Sequence, residues 1–252
     1  MNLLHTTDLH GDLAGLEAAA DLAAASAPCI LAVSGDIVEW PMRCLEKDEW
    51  MPCMDTLFKI SDRLAASGAT LAATSGNHDA WASAGRVPWF GLLRPGFAAD
   101  ALQPARSSHE VQIGDGLAIV TCFPWRNDSG PSALSAVTDF AEAGRMLREP
   151  FPESPWIWLY HSAPGGTPVG VGAANDEANA IMEVAAAYRP SIVLCGHVHG
   201  SPWLDGGAPF WTDPRSGALF SNPGRRQTGI CLSSIEIGPG TEPPVCNWRP
   251  NL

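Results

Sequence analysis

A layered α/β sandwich is the architecture to expect from this 252-residue chain, on two observations. Short aliphatic and β-branched runs alternate with helix-like stretches through most of the sequence, and three strand-like runs then follow one another toward the C-terminus. A chain of this length can bury one sizeable core, so residues 1–252 are expected to form a single domain.

In order, the alternating part offers strands at 3–7, 29–34, 70–74, 117–123, 156–160 and 192–195, each a short run of residues that suit a pleated, buried surface. Between them, 12–25 and 55–66 read as helices, and Ile181, Val184, Ala185 and Tyr188 recur at i, i+3, i+4, i+7, which lays one apolar stripe along a helix. Residues 40–52 and 125–155 are less regular and read as surface insertions that shape access to a site, the second containing a helix over 132–148. The runs 210–213, 218–222 and 230–237 are expected to close a second sheet.

Composition narrows the function. The formal charge of −12 opposes the counterion-release attraction behind non-specific nucleic-acid binding, so a long polyanionic partner is disfavoured. No apolar run approaches the roughly 20 residues of a membrane span. The chain reaches Asp8, His10 and Asp12 without the basic and apolar segments of a secretory leader, and its seven scattered cysteines lack the spacing of a zinc ribbon or disulfide scaffold. A cytoplasmic protein with reduced thiols is expected.

The chemistry lies at the ends of the strands. Asp8 and His10 follow the first strand, Gly35 and Asp36 the second, Gly76, Asn77, His78 and Asp79 the third, His161 the run ending at Tyr160, and Gly196, His197, Val198 and His199 the run ending at Cys195. Residues two apart on extended backbone project to one side, so Asp8 with His10, and His197 with His199, could each converge on one ion. Asp or Asn after a strand is ordinarily a turn residue and a lone His ordinarily packs. Five of the seven histidines at such positions are another matter, because ligands of open α/β sheets bind outside the carboxyl ends of the strands.

As a set, Asp8-x-His10, Gly35-Asp36, Gly76-Asn77-His78-Asp79, His161 and Gly196-His197-x-His199 resemble the calcineurin-like metallophosphoesterases, over residues 8–199. The resemblance implies a four-layer α/β sandwich, two mixed β-sheets flanked by helices. It also implies two metal ions, one on Asp8, His10, Asp36 and His199, the other on Asp36, Asn77, His161 and His197, with Asp36 as the bridge. Carboxylate oxygen and imidazole nitrogen suit Mn, Fe, Zn, Ni or Co, as divalent or trivalent ions, and thiolates are absent from the set. The nucleophile is then a metal-bridging hydroxide rather than a side chain. His78 stands where the family's general acid would be, and Asp79 is a candidate to hold one of its ring nitrogens, with capping of the following turn as the alternative.

The substrate expected is a small-molecule phosphodiester or monoester. Trp40, Trp81 and Trp125 follow motifs or end a strand and are candidates to wall it, a placement also open to packing under loops. Arg225, after the Asn222-Pro223-Gly224 turn, is a candidate phosphate contact unless that turn merely shapes a sheet corner. His5 faces away from Asp8 by simple alternation and reads as a packed histidine, as does His109. The Ser/Thr protein phosphatases of the superfamily carry other residues where this chain has Glu39-Trp40 and His78-Asp79, which sets that subgroup aside. A nuclease of the same fold is the rival enzyme, and a non-catalytic binding scaffold the rival of another class.

Overall fold

The computed structural model of the protein describes residues 1–38, 47–82, 97–101, 103–125, 130–173, 176–227, 229–238 and 244–252. Strands β1 (Asn2–Thr6), β2 (Cys29–Ser34), β3 (Thr70–Thr74), β4 (Phe97–Ala99), β5 (Ser108–Ile113), β6 (Gly116–Phe123), β7 (Trp156–Ser162), β8 (Ile192–Gly196), β9 (Phe210–Thr212), β10 (Leu219–Ser221), β11 (Leu232–Glu236) and β12 (Val245–Arg249) form two six-stranded sheets. Their orders are β12-β11-β1-β2-β3-β4 and β5-β6-β7-β8-β10-β9. The helices are α1 (Leu13–Ala25), α2 (Lys47–Ser67), α3 (Asn77–Ala82), α4 (Gly130–Arg148) and α5 (Asp176–Tyr188).

The central strands are mostly apolar because both of their faces are covered. In β2, Leu31 and Val33 meet Leu16, Ala20, Leu57 and Leu64 of α1 and α2, while Ile30 and Ala32 point the other way into a cluster with Leu159, Ile192 and Leu194 of the second sheet. On the far side, Trp156, Trp158 and Val193 meet Phe140, Ala141, Ile181 and Val184 of α4 and α5. Helix, sheet, sheet, helix is thus the stacking order. Each large side chain removed from water in these three clusters contributes about 1.5–3 kcal/mol.

Parallel pairing runs from β1 through β4 in one sheet and from β6 through β8 to β10 in the other. Parallel strands end at one edge, so the loops after β1, β2, β3, β7 and β8 gather together. The expected strands and helices are present, with differences in pairing, extent and number. The run 230–237 does not join the second sheet: β11 pairs antiparallel with β1, Leu3 opposite Ile235. There it covers what would otherwise be an open edge of β1 and sends Ile235 into the inter-sheet cluster. β9 and β10 do close the second sheet.

Strands β4, β5 and β12 were not foreseen, because a three-residue strand and an edge strand with alternating exposure carry little apolar signal. Helix α2 starts at Lys47, inside the expected insertion, whereas 39–46 lie outside the described residues. The helix expected over 132–148 is α4. No helix among the described residues is long and apolar enough to cross a membrane.

Candidate metal centre

The extended geometry expected for Asp8-x-His10 and His197-x-His199 is not how these residues converge. β1 stops at Thr6 and β8 at Gly196, and beyond them the chain turns back: Asp8 (φ 54°), His10 (φ 47°), Asp36 (φ 50°) and His197 (φ 67°) all occupy the left-handed region. Such backbone costs a non-glycine residue about 1–3 kcal/mol and persists where surroundings over-determine it. Here the loop after β1 is zipped to the loop after β2: Asp8 N–H donates to Gly35 O at 3.1 Å, His10 N–H to Asp36 O at 2.8 Å and Gly11 N–H to Ile37 O at 2.9 Å.

Two groups of donor atoms result. Asp8, His10, Asp36 and His199 each offer a ligand atom within 4.8 Å of the others, and so do Asp36, His161 and His197. In the first group Nε2 of His199 lies 3.1 Å from Asp8 Oδ1 and 3.1 Å from Nε2 of His10. Tetrahedral ligands at ~2.1 Å from one ion stand roughly 3–3.5 Å apart, so the spacing suits a shared cation. In the second, Asn77 Oδ1 lies 3.1 Å from His161 Nε2 and 2.9 Å from His197 Nδ1. Asp36 joins the groups, its Oδ2 being 3.8 Å from His10 Nε2 and 3.4 Å from His161 Nε2.

The surroundings aim these atoms. Asp36 Oδ1 accepts the His78 backbone N–H at 2.8 Å, and both oxygens of Asp8 accept the His197 N–H, at 3.1 and 3.0 Å. His161, beside a register shift between β7 and β8, donates from Nδ1 to Ser34 O at 2.7 Å, which leaves Nε2 to face the site. Gly76 is required by this closeness: a Cβ there would stand 2.2 Å from Asp36 Oδ1 and 2.4 Å from Asp36 N. Gly35, at φ +93°, would place one 2.4 Å from His161 Nδ1.

Burial makes the site hungry for positive charge. Asp8 and Asp36 are 0 % and 1 % exposed. Burial alone would raise both carboxyls, but His161, and for Asp8 the hydrogen bond with His199, outweigh it and hold them low. The reciprocal effect lifts His161 to about 10 and raises His199, in each case against burial, whereas burial dominates at His10, lowered to about 4, and at His197. A cation entering the cluster would displace those protons, so the donor set fits metal ions that compete with protons for imidazole and carboxylate.

His78 opens onto the site: its ring meets that of His10 edge to face at 4.3 Å, and Nε2 is 3.9 Å from Asp36 Oδ2. Asp79 accepts Ile37 N–H (2.9 Å) and Val38 N–H (3.0 Å) on Oδ1 and Gly76 N–H (2.8 Å) on Oδ2, which ties the loop after β2 to the start of α3. Burial, then the charge of Asp36, pushes its carboxyl up to about 7. Trp125 lies with its ring 5.6 Å from that of His161 and 5.7 Å from that of His197. Trp40 lies outside the described residues, and Trp81 is placed in α3 by its backbone alone. Arg225 follows a turn whose chain is bonded to His199 O. His5 is buried between Ser34 and Ser221, and His109 donates to Ala99 O at 2.7 Å.

Three supporting residues escaped the sequence reading. Ser34 receives His161 on its carbonyl and bonds His5 through its hydroxyl, and its signal was a lone polar residue ending an apolar run. Asp100, just past β4, accepts Ser75 N–H at 2.8 Å, and Ser75 Oγ in turn accepts Trp125 N–H at 3.0 Å. Their signal was another acid directly after a strand, hidden because β4 is so short.

Curated proteins give no sequence match. Among solved structures, TT1561 of Thermus thermophilus is similar with a TM-score of 0.56 and 17% identity, 93% of this chain covering 93% of that one, a likeness of fold. An archaeal phosphodiesterase has a TM-score of 0.45 at 14% identity, with 99% of each chain covered. The family model described as calcineurin-like phosphoesterase matches residues 1–201, a span that begins before Asp8 and ends after His199. By that match the chain belongs to the calcineurin-like phosphoesterases, a family of metal-dependent phosphoester hydrolases.

Proposed function

We propose that this phosphoesterase hydrolyses the phosphate ester of a small molecule at a pair of metal ions, one held by Asp8, His10, Asp36 and His199 and the other by Asp36, Asn77, His161 and His197. The observation that carries the reading is Asp36 Oδ2, one carboxylate oxygen within 4 Å of a histidine from each donor group, at 3.8 Å from His10 and 3.4 Å from His161. When bound, such a pair supplies an activated water and positive charge for the phosphoryl oxygens. Mn, Fe, Zn, Ni and Co all suit the oxygen and nitrogen donors.

The protein's own residues do the rest. Ser34 and the His197 backbone fix His161 and Asp8, so the cluster is organised before substrate arrives. His78, held at the start of α3 with 21% of its side chain exposed, is the group able to reach a departing alkoxide and give it a proton. Asp79 acts one step removed: by gripping Ile37, Val38 and Gly76 it presents Asn77 and His78 to Asp36. Trp125 covers the His161–His197 side and limits water there.

The test is to strip the protein with chelator, restore Mn, Fe, Zn, Ni or Co singly, and follow p-nitrophenyl phosphate, bis-p-nitrophenyl phosphate and cyclic nucleotides. Hydrolysis that returns with ion and is lost in Asp36→Asn supports the reading. Silence with every ion overturns it in favour of a binding scaffold. Faster cleavage of DNA or RNA, falling steeply with salt, would replace it with a nuclease.

A further inference from the structure

Residues 202–252 lie beyond the span matched by the family model, and one of them stands at the donor cluster with a charge that no described carboxylate balances. Asn222 donates from Nδ2 to Val169 O at 2.8 Å and to Val198 O at 3.3 Å, and accepts Gly224 N–H at 2.9 Å. Gly224, at φ +70°, is so close that a Cβ would lie 2.6 Å from His199 O. Arg225 N–H then donates to that same His199 carbonyl at 3.0 Å. A tight turn from β10 is thereby pressed onto the loop that carries His197 and His199.

The two arginines that leave this turn go to different places. Arg226 lays its guanidinium over the Trp203 ring, 5.1 Å from its centre. Arg225 is partly buried, its charge acts on His10 and His199, and among the described residues no carboxylate forms an ion pair with it. The nearby acids Asp8 and Asp36 already face histidines. A guanidinium beside a cation-binding cluster, with no carboxylate paired to it among the described residues, suits an anion there, and its planar fork matches two oxygens of one phosphoryl group.

We propose that Arg225 is the specificity-determining residue of this site: its guanidinium receives non-bridging phosphoryl oxygens and biases the site toward phosphate monoesters over diesters. The assignment rests on the phosphoester hydrolysis proposed above and names its substrate class. The physical reason is charge. Asp8 and Asp36 return two of the four charges that two divalent ions bring, and Arg225 adds one more, so the positive excess exceeds what a singly charged diester can answer. A monoester is close to a dianion at neutral pH, since its second proton leaves near pH 6.

The experiment uses the full chain loaded with Mn, as wild type, Arg225→Met, Arg225→Lys and, as control, Arg226→Met. Inorganic phosphate binding is measured by calorimetry, Mn binding is measured without phosphate, and kcat/KM is compared for p-nitrophenyl phosphate and its bis ester. Arg225→Met is expected to lose about 10- to 100-fold in phosphate affinity and in monoester kcat/KM, the size of a charge-assisted contact, and only ~3-fold or less on the diester. Its Mn affinity should be equal or higher, because a neighbouring cation is gone. Lysine should recover part of the loss, and Arg226→Met should behave as wild type. Equal losses on both esters with weaker Mn binding would make Arg225 a mere prop for the His199 loop, and unchanged phosphate affinity would also overturn the assignment. Were the wild type to hydrolyse neither ester, the hydrolase reading would fall, whereas phosphate calorimetry would still decide for or against Arg225 as an anion site.

Discussion

Acid should weaken this protein through one buried histidine outside the donor cluster. His5 is wholly buried in β1, with Nε2 2.8 Å from Ser34 Oγ and Nδ1 3.0 Å from Ser221 Oγ, so it ties β1 and β2 to β10 across the two sheets. Burial drives its pKa down to about 3, opposed only in part by the charge of Asp8. In the unfolded chain the ring takes a proton near pH 6.5. Its stabilising contribution is therefore complete above about pH 6.5 and drains away as pH falls toward 3, at about 1.4 kcal/mol per unit. By about pH 4.5 the loss is roughly 3 kcal/mol, a large share of the 5–15 kcal/mol that holds a typical domain together.

Other groups titrate in the same window and must be separated. His10, lowered to about 4 by burial, adds to the loss. Asp79 and Asp100, raised by burial to about 7 and about 6, act in the opposite sense, because the native state takes up their protons before the unfolded state does. His5→Gln isolates the effect, since glutamine can still bond both hydroxyls and does not titrate. Urea unfolding of both proteins, in chelator and at constant salt, should give a stability gap that narrows by about 2–3 kcal/mol between about pH 6.5 and pH 4.5. Curves that stay parallel within about 0.5 kcal/mol would show that His5 carries no such linkage and that the reasoning from its burial is wrong.

The cluster yields further expectations. His78→Ala should keep both ions, by metal analysis, yet lose about 10²- to 10⁴-fold in turnover on esters with poor leaving groups and much less on p-nitrophenyl esters. Asp36→Asn should lower the bound-metal stoichiometry below that of wild type, because the shared oxygen 3.8 Å from His10 and 3.4 Å from His161 loses its charge. Gly76→Ala should cost about 1–3 kcal/mol in a denaturant melt and weaken metal binding together, since its methyl would overlap Asp36. Loading metal near neutral pH should release protons, measurable by calorimetry in buffers of different ionisation enthalpy, because His161, lifted to about 10, holds one until an ion replaces it.

The chemistry and its order along the chain are legible in the residues alone. Apolar runs such as Cys29–Ser34 suit strands covered on both faces, and the acids, amides and imidazoles at their ends marked the candidate ligands, because side-chain type and strand periodicity are local properties. Strand partners and contacts between loops are not legible there, because they are non-local. Whether β11 joined one sheet or the other depended on which edge stood open, and a strand of ordinary alternation does not announce its partner. The left-handed backbone at Asp8, His10, Asp36 and His197 arises from hydrogen bonds between loops far apart in sequence, so their convergence followed a turn and not the extended spacing first expected. Asp79 reads in sequence as a partner for His78 or as a turn cap; in the structure it accepts the neighbouring Gly76 N–H and also the N–H groups of Ile37 and Val38, which the pairing of β2 with β3 brings beside it. Arg225 is marked in the chain only by the Asn222-Pro223-Gly224 turn before it, which also reads as a sheet corner; the contact of that turn with His199 O gives its charge a place.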